Sequence, residues 1–405
     1  MKPIVRAGRM KPVHSDIRGP LFVEAMKRQK QGIDILKLNT GNPATFGFGL
    51  PDSIKNALME HMQDGVGYCD FKGMPQARQA ICDYETSKGI KGITSDDVFI
   101  GNGVSEVVSF ALTPLLNDGG EVLVPSPSNA LWGNSVYLED GKPVFYTCDE
   151  QANWYPDIQD IRSKITDKTK AIVIINPNNP TGVLYPKELL LEIIQIARES
   201  GLLIFADEIY DRLVMDGKQH ISLASLTEDV PVITLNGLSK SHCLCGYRCG
   251  WMVISGPREL TEDYRQGIIQ LTSLRLCANT MAQIVIPAAL DDMETPASMV
   301  RPGGRIYEQR EATVRELEKI DGLSFVKNDA AFYVFPKLDV KKFNITNDKQ
   351  FAHDLLDATN ILLVPGSGFD WKDPDHFRIV MLPQADILSD AIRRMGTFLD
   401  GYKQK

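Results

Sequence analysis

Between about residues 50 and 290, short apolar runs alternate with stretches whose hydrophobic residues recur every three or four positions. The runs include Val98-Phe99-Ile100, Glu121-Val122-Leu123-Val124, Ala171-Ile172-Val173-Ile174-Ile175 and Leu202-Leu203-Ile204-Phe205-Ala206. Val232-Ile233-Thr234-Leu235 and Trp251-Met252-Val253-Ile254 continue the series. Runs this rich in Val and Ile suit strands buried on both faces. Their alternation with helices predicts an α/β fold with a mostly parallel, doubly wound sheet. The texture changes further on: a charged helix is expected over 305–320, then strands at Phe332-Tyr333-Val334-Phe335 and Ile361-Leu362-Leu363-Val364. The division expected is an N-terminal arm (1–48), a large domain (49–290) and a smaller α+β domain (291–405) that the arm helps to complete. The arm reads as loop, with Arg18-Gly19-Pro20 and Gly41-Asn42-Pro43 as breakers.

Composition narrows the function. Hydrophobic residues make up 43% of the 405 positions and charged residues 24%, which excludes a disordered chain. The net charge of −8 argues against nucleic acid as a partner, because duplex binding needs clustered Lys and Arg. No apolar stretch follows the first residues as a signal peptide requires, and no run reaches the length of a membrane span. Seven scattered cysteines suit free thiols in a reducing compartment, so the cytoplasm is expected. Cys243, Cys245 and Cys249 cluster without Cys-x-x-Cys spacing, and no metal is expected.

The candidate chemistry follows the apolar runs. Ligands of open α/β sheets bind beyond the C-terminal ends of the strands. After Ile100 comes Gly101-Asn102-Gly103-Val104-Ser105, then a helix. Gly103, the Val104 N–H and the Ser105 hydroxyl suit a phosphate at a helix start, or else form a tight turn. After Ile175 comes Asn176-Pro177-Asn178-Asn179-Pro180-Thr181-Gly182, a rigid turn in which Asn179 can offer an amide to a ring oxygen. After Ala206 come Asp207 and Tyr210. An acid at the end of an apolar strand needs a cationic partner such as a protonated pyridine nitrogen, unless it caps a helix. After Leu235 come Ser239 and Lys240, an amine that beside such a ring becomes a nucleophile, or else is a solvated surface lysine; Arg248 follows and can clamp a phosphate or pair with a surface acid. Together these groups can hold pyridoxal phosphate and tune its electron sink.

With those residues in view, the chain resembles the fold type I pyridoxal-phosphate-dependent aminotransferases of class I and II, and among them the bacterial alanine-type (glutamate–pyruvate) branch. The resemblance runs from Asp16-Ile17-Arg18-Gly19-Pro20 to Leu399, and rests most on Asn178-Asn179-Pro180-Thr181-Gly182, Asp207-Glu208-Ile209-Tyr210, and Ser239-Lys240 with Arg248. It implies a seven-stranded sheet and pyridoxal 5′-phosphate as cofactor. Lys240 would carry the cofactor as a Schiff base and Asp207 would pair with its ring nitrogen. Asn179 and Tyr210 would contact the ring oxygen. Gly103, Val104, Ser105, Ser239 and Arg248 would hold the phosphate. Tyr68 would reach the phosphate of a partner subunit, which implies a homodimer with shared sites. Arg378 would grip the substrate α-carboxylate, with Gly41 and Arg18 lining the same pocket. The expected reaction moves an amino group between an alanine- or glutamate-like amino acid and a 2-oxo acid. A carbon–sulfur β-lyase or another reaction of the same cofactor is the alternative, and a non-catalytic binding protein a more distant one. The chain departs from the alanine-type pattern in two places near the pocket: Asn129 stands where an aromatic stacks on the cofactor ring, and Ser15 where a tyrosine is common. Gly237 also replaces a phosphate-binding serine found in some relatives.

Overall fold

The computed structural model describes residues 3–405. The arm is more ordered than its breakers suggest. Pro20 occupies the start of α1 (Pro20–Lys30), where the missing N–H has no partner to lose, and Lys27, Arg28 and Lys30 complement the dipole in its last turn. β1 (Leu36–Lys37) follows.

The main sheet contains β2 (Val98–Asn102), β3 (Glu121–Ser126), β4 (Lys142–Asp149), β5 (Tyr155–Pro156), β6 (Thr169–Ile175), β7 (Leu203–Asp207), β8 (Val232–Gly237) and β9 (Cys249–Ser255). Their spatial order is β2-β9-β8-β7-β6-β3-β4-β5. The pairs from β8 through β4 are parallel. β9 runs antiparallel to both β8 and β2, so the direction of β2 matches the rest. β5 adds a two-residue antiparallel edge to the seven longer strands. All six apolar runs are strands. β4 has no such run: Lys-Pro-Val-Phe-Tyr-Thr-Cys-Asp lies near the sheet edge and is only partly buried.

The intervening helices are α2 (Val104–Leu112), α3 (Leu131–Leu138), α4 (Lys187–Ser200) and α5 (Arg258–Arg275). Side chains alternate across each strand, so the two sheet faces build separate cores. Ile172, Ile174 and Ile204 pack under Leu190, Ile193 and Ile194 of α4. Val173, Ile175, Phe205 and Leu235 point the other way, into a core shared with Val107 and Val108 of α2, Trp132 of α3 and Ile268 of α5.

The C-terminal part carries α6 (Arg305–Leu317), β10 (Tyr333–Val334), α7 (Asp348–Thr359), β11 (Ile361–Leu362), β12 (Val364–Pro365), β13 (Phe377–Val380) and α8 (Ala385–Leu399). β13 lies antiparallel between β10 and β12, and β1 from the arm pairs in parallel with β11. Leu38 joins Leu317, Phe351, Phe377, Ile379 and Leu388 in one core, so the arm packs into this part.

β9 and the start of α2 approach until only glycine fits. A Cβ on Gly250 would lie 2.4 Å from the Val104 nitrogen and 2.6 Å from the Gly103 carbonyl carbon, both backbone atoms. Gly250→Ala is therefore expected to destabilise the fold by ~1–3 kcal/mol. Gly49→Ala, where a Cβ meets nothing within 4 Å, should leave the thermal unfolding midpoint unchanged. Thermal melts of the two variants check the contrast.

Candidate active site

A cavity of about 650 Å³ opens at the C-terminal edge of the parallel strands. Its lining includes Arg18, Gly41, Val104, Ser105, Asn129, Asn179, Asp207, Tyr210, Ser239, Lys240, Arg248 and Arg378, which the chain scatters over 360 positions. Gly103 backs this wall. Tyr68 does not line it; its side chain is exposed on the surface.

Asp207 ends β7 and is buried on the cavity floor. No helix follows it, so it does not serve as a helix cap; its Oδ1 accepts the Ile209 N–H at 3.3 Å across a turn. Its Oδ2 accepts the Trp132 Nε1–H at 3.1 Å. Among the described residues it has no ion-pair partner. Burial therefore pushes its carboxyl up from 3.8 to about 6, with the Trp132 hydrogen bond acting in the opposite direction.

The turn after Asp207 is fixed from behind. Asp207 and Tyr210 line the cavity, while Glu208 and Asp211 reach Lys88 Nζ at 2.8 and 3.2 Å. Glu85 completes this buried cluster at 2.6 Å from the same ammonium. The Tyr210 hydroxyl lies 2.9 Å from that of Tyr333, beside the cavity.

Lys240 sits in the single helical turn after β8, and its Nζ donates to the Gly41 carbonyl at 2.8 Å. The Cys245 thiol lies 4.0 Å from the same amine. Arg248 reaches this edge by a different route. It precedes β9, and because β9 runs against its neighbours, its beginning lies where their ends do. Arg248 holds a left-handed backbone (φ 56°) and donates from Nη2 to Ser105 Oγ at 3.0 Å. Gly103 lets this happen, since a Cβ there would fall 2.3 Å from that Nη2. The first turn of α2, Ser105 and Arg248 thus form one anion cradle.

On the opposite wall, Arg378 of β13 is buried between the rings of Tyr333 and Phe369, each 4.6 Å from its guanidinium carbon. Nη1 donates to Asn179 Oδ1 at 3.0 Å, and Nη2 to the Asn39 carbonyl. Nε is buried without a partner, and no carboxylate pairs with Arg378 among the described residues. Asn129 also lines the cavity, but its Oδ1 accepts the Leu131 N–H at 3.1 Å, so its amide helps to start α3. Sequence reasoning assigned no role to Trp132, Tyr333, Thr40 or Cys245. Trp132 carries no signal of its own in the sequence beyond its place in Ala130-Leu131-Trp132.

A buried acid without a cation, a buried guanidinium without an anion, an amine on the same cavity and an anion cradle are together an unusual set. Residues 33–392 match the family model described as aminotransferase class I and II. The chain is a class I and II aminotransferase. This aminotransferase is 49% identical over 404 residues to the glutamate–pyruvate aminotransferase AlaA of Haemophilus influenzae, with all of both chains covered. It superposes on the crystal structure of an Escherichia coli aminotransferase with a TM-score of 0.98 at 46% identity, again over all of both chains. The alanine aminotransferase of Pyrococcus furiosus matches with a TM-score of 0.93 at 40% identity, over 98% of this aminotransferase and 100% of that chain. The class implies pyridoxal phosphate as cofactor, and the unpaired Asp207 with the cradle opposite suits a ring cation joined to a phosphate.

Asp207 makes a prediction about the cofactor-free aminotransferase. Unfolded, its carboxyl titrates near 3.8; folded, near 6. Between those values the folded protein holds a proton that the unfolded chain has lost, so this group's contribution to stability falls as pH rises across that window. The loss reaches about 3 kcal/mol above pH 6. Urea unfolding from pH 4 to 7 should show the wild type losing stability relative to Asp207→Asn over this range. Parallel curves would contradict the assignment.

Proposed function

We propose that this aminotransferase moves the amino group of a glutamate- or alanine-like amino acid to a 2-oxo acid, with Lys240 as the covalent anchor of pyridoxal phosphate. The observation that carries the reading is the convergence of unpaired Asp207, unpaired Arg378 and Lys240 on one cavity. The printed functions of the relatives support the substrate pair. A β-lyase has no observation of its own in the cavity to favour it.

Pyridoxal phosphate, when bound, supplies an aldehyde that captures amines and a protonated ring that takes up electrons from the Cα–H bond. Gly103, the Val104 N–H, Ser105, Ser239 and Arg248 would hold the phosphate. Asp207 keeps a proton on the ring nitrogen, a task for which a buried carboxylate with no competing cation is suited. Tyr210 and the Asn179 amide would contact the ring oxygen. Lys240 Nζ, once free, moves a proton from and to the substrate Cα. Arg378 receives the substrate α-carboxylate in its two-pronged geometry, which would satisfy its buried charge. Gly41 lets the arm pass against the Tyr333 hydroxyl, which a Cβ there would meet. Arg18 lines the same cavity without an ion pair among the described residues, and would be the partner of the distal carboxylate of glutamate. Asn129 offers an amide where relatives offer an aromatic face, giving up about 0.5–1.5 kcal/mol of stacking.

Tyr68 and its exposed neighbours Met62 and Val66 support a homodimer in which Tyr68 serves the partner's phosphate site. Seven unpaired cysteines support a cytoplasmic location; no single helix among the described residues is long and apolar enough to cross a membrane.

The reconstituted protein is expected to form 2-oxoglutarate and alanine from L-glutamate and pyruvate. Arg378→Lys should raise KM for both substrates about 100-fold, because a point charge replaces a bidentate one. Coupled assays of both directions measure this. Release of pyruvate from cystathionine with no 2-oxo acid acceptor, and no amine transfer, would overturn the reading.

A further inference from the structure

The arm lines the cavity through Ile17 and Arg18, and a charge arrangement three residues earlier ties it down. His14 Nε2 lies 3.0 Å from Asp370 Oδ1, in the segment after β12. His14 Nδ1 lies 3.6 Å from Asp16 Oδ2 on the arm itself. A neutral imidazole carries one N–H, whereas both ring nitrogens here face carboxylates, so only the imidazolium satisfies both. The backbone is held as well: the His14 N–H donates to Asn134 Oδ1 at 3.1 Å, and Asn134 Nδ2 donates to the His14 carbonyl at 2.6 Å, both against α3. Lys349 of α7 pairs with Asp16 at 3.2 Å. Tyr137 of α3 feels the charge of Asp370. Asp370 Oδ2 is buried without a partner, so this carboxylate depends on the imidazolium at its other oxygen.

We propose that protonated His14 is the latch that docks the N-terminal arm on the body of the enzyme and thereby positions Arg18 for the distal carboxylate of the substrate. His14 is a positioning residue, and the proposal rests on the reading of Arg18 given above. Asp16 and Asp370 raise the imidazole from 6.5 to about 9. A raised histidine contributes fully below its undocked value, near 6.5, and its contribution is lost as pH rises through about 9. Docking is therefore tight at neutral pH and loosens across pH 7 to 9.5.

The test uses the full-length, cofactor-loaded enzyme and the variants His14→Gln, Asp370→Asn and the double variant. At pH 7, each should raise KM for L-glutamate about tenfold with kcat changed less. KM for L-alanine, which has no distal carboxylate, should move little. The double variant should equal the single ones, since either change opens the same latch. The wild-type KM for glutamate should approach that of His14→Gln as pH rises to 9.5. Trypsin cleavage after Arg18 should accelerate by a similar factor in all three variants, a readout independent of activity. Wild-type cleavage rates in His14→Gln would show that the arm docks without the latch, and would overturn the proposal. Faster cleavage with an unchanged glutamate KM would remove the substrate role of Arg18 and with it the positioning claim. Failure of the transamination reading itself would show as absence of turnover in the wild type, while the cleavage contrast would still report on the latch.

Discussion

A carboxylate buried at the end of a sheet strand with no cation of its own is the constraint around which this molecule is organised. Asp207 cannot be pulled back into solvent, because β7 lies between two parallel neighbours and its apolar residues are packed on both faces. It cannot borrow Lys88 either. That ammonium belongs to Glu85, Glu208 and Asp211 on the far side of the same turn. The separation of the two acid groups is what leaves Asp207 available for a ligand. Trp132 gives it one hydrogen bond, enough to orient the carboxylate but not to replace a positive charge.

The rest of the site follows from strand direction. Parallel strands deliver Asp207, Asn179 and Lys240 to one edge in the ordinary way, Asp207 as the last residue of its strand and the other two shortly after theirs end. One reversed strand, β9, delivers Arg248 from its beginning and brings it against the start of α2. That meeting needs two residues without side chains, Gly103 and Gly250, on opposite sides of the contact. Across the cavity, the arm and the C-terminal part are joined by β1 and β11, so Gly41 and Arg378 arrive on a common support. Arg378 is held by Asn179 after β6, which links the cavity wall formed by the C-terminal part to the wall formed by the main sheet through a single hydrogen bond.

Much of this could be read from the chain. Six strands were visible as apolar runs because a strand buried on both faces has no polar alternation to hide it. Asp207 stood out because an acid at the end of such a run is costly unless paired, and Lys240 only in company with the other strand-end groups. Other features left no local trace. β4 sits near the edge and carries Lys, Pro, Thr and Asp, so its composition resembles a loop. α1 was obscured by the Gly19-Pro20 step that in fact begins it. Arg248 could be assigned to a phosphate only by resemblance, since its placement depends on the reversal of β9. Two of the partners of His14, Asn134 and Asp370, lie 120 and 356 positions away, and no sequence period connects them.

The departure at position 129 shifts weight onto the electrostatic contacts. Under the proposed reading, less stacking surface over the ring would make cofactor retention depend more on the cradle and on a charge pair at Asp207. The most direct measurement is nitrogen-15 NMR of the holoenzyme loaded with cofactor labelled at the ring nitrogen. A protonated ring nitrogen in the wild type that becomes neutral in Asp207→Ala is the result expected here. A neutral nitrogen in the wild type, or one unmoved by the substitution, would contradict the account.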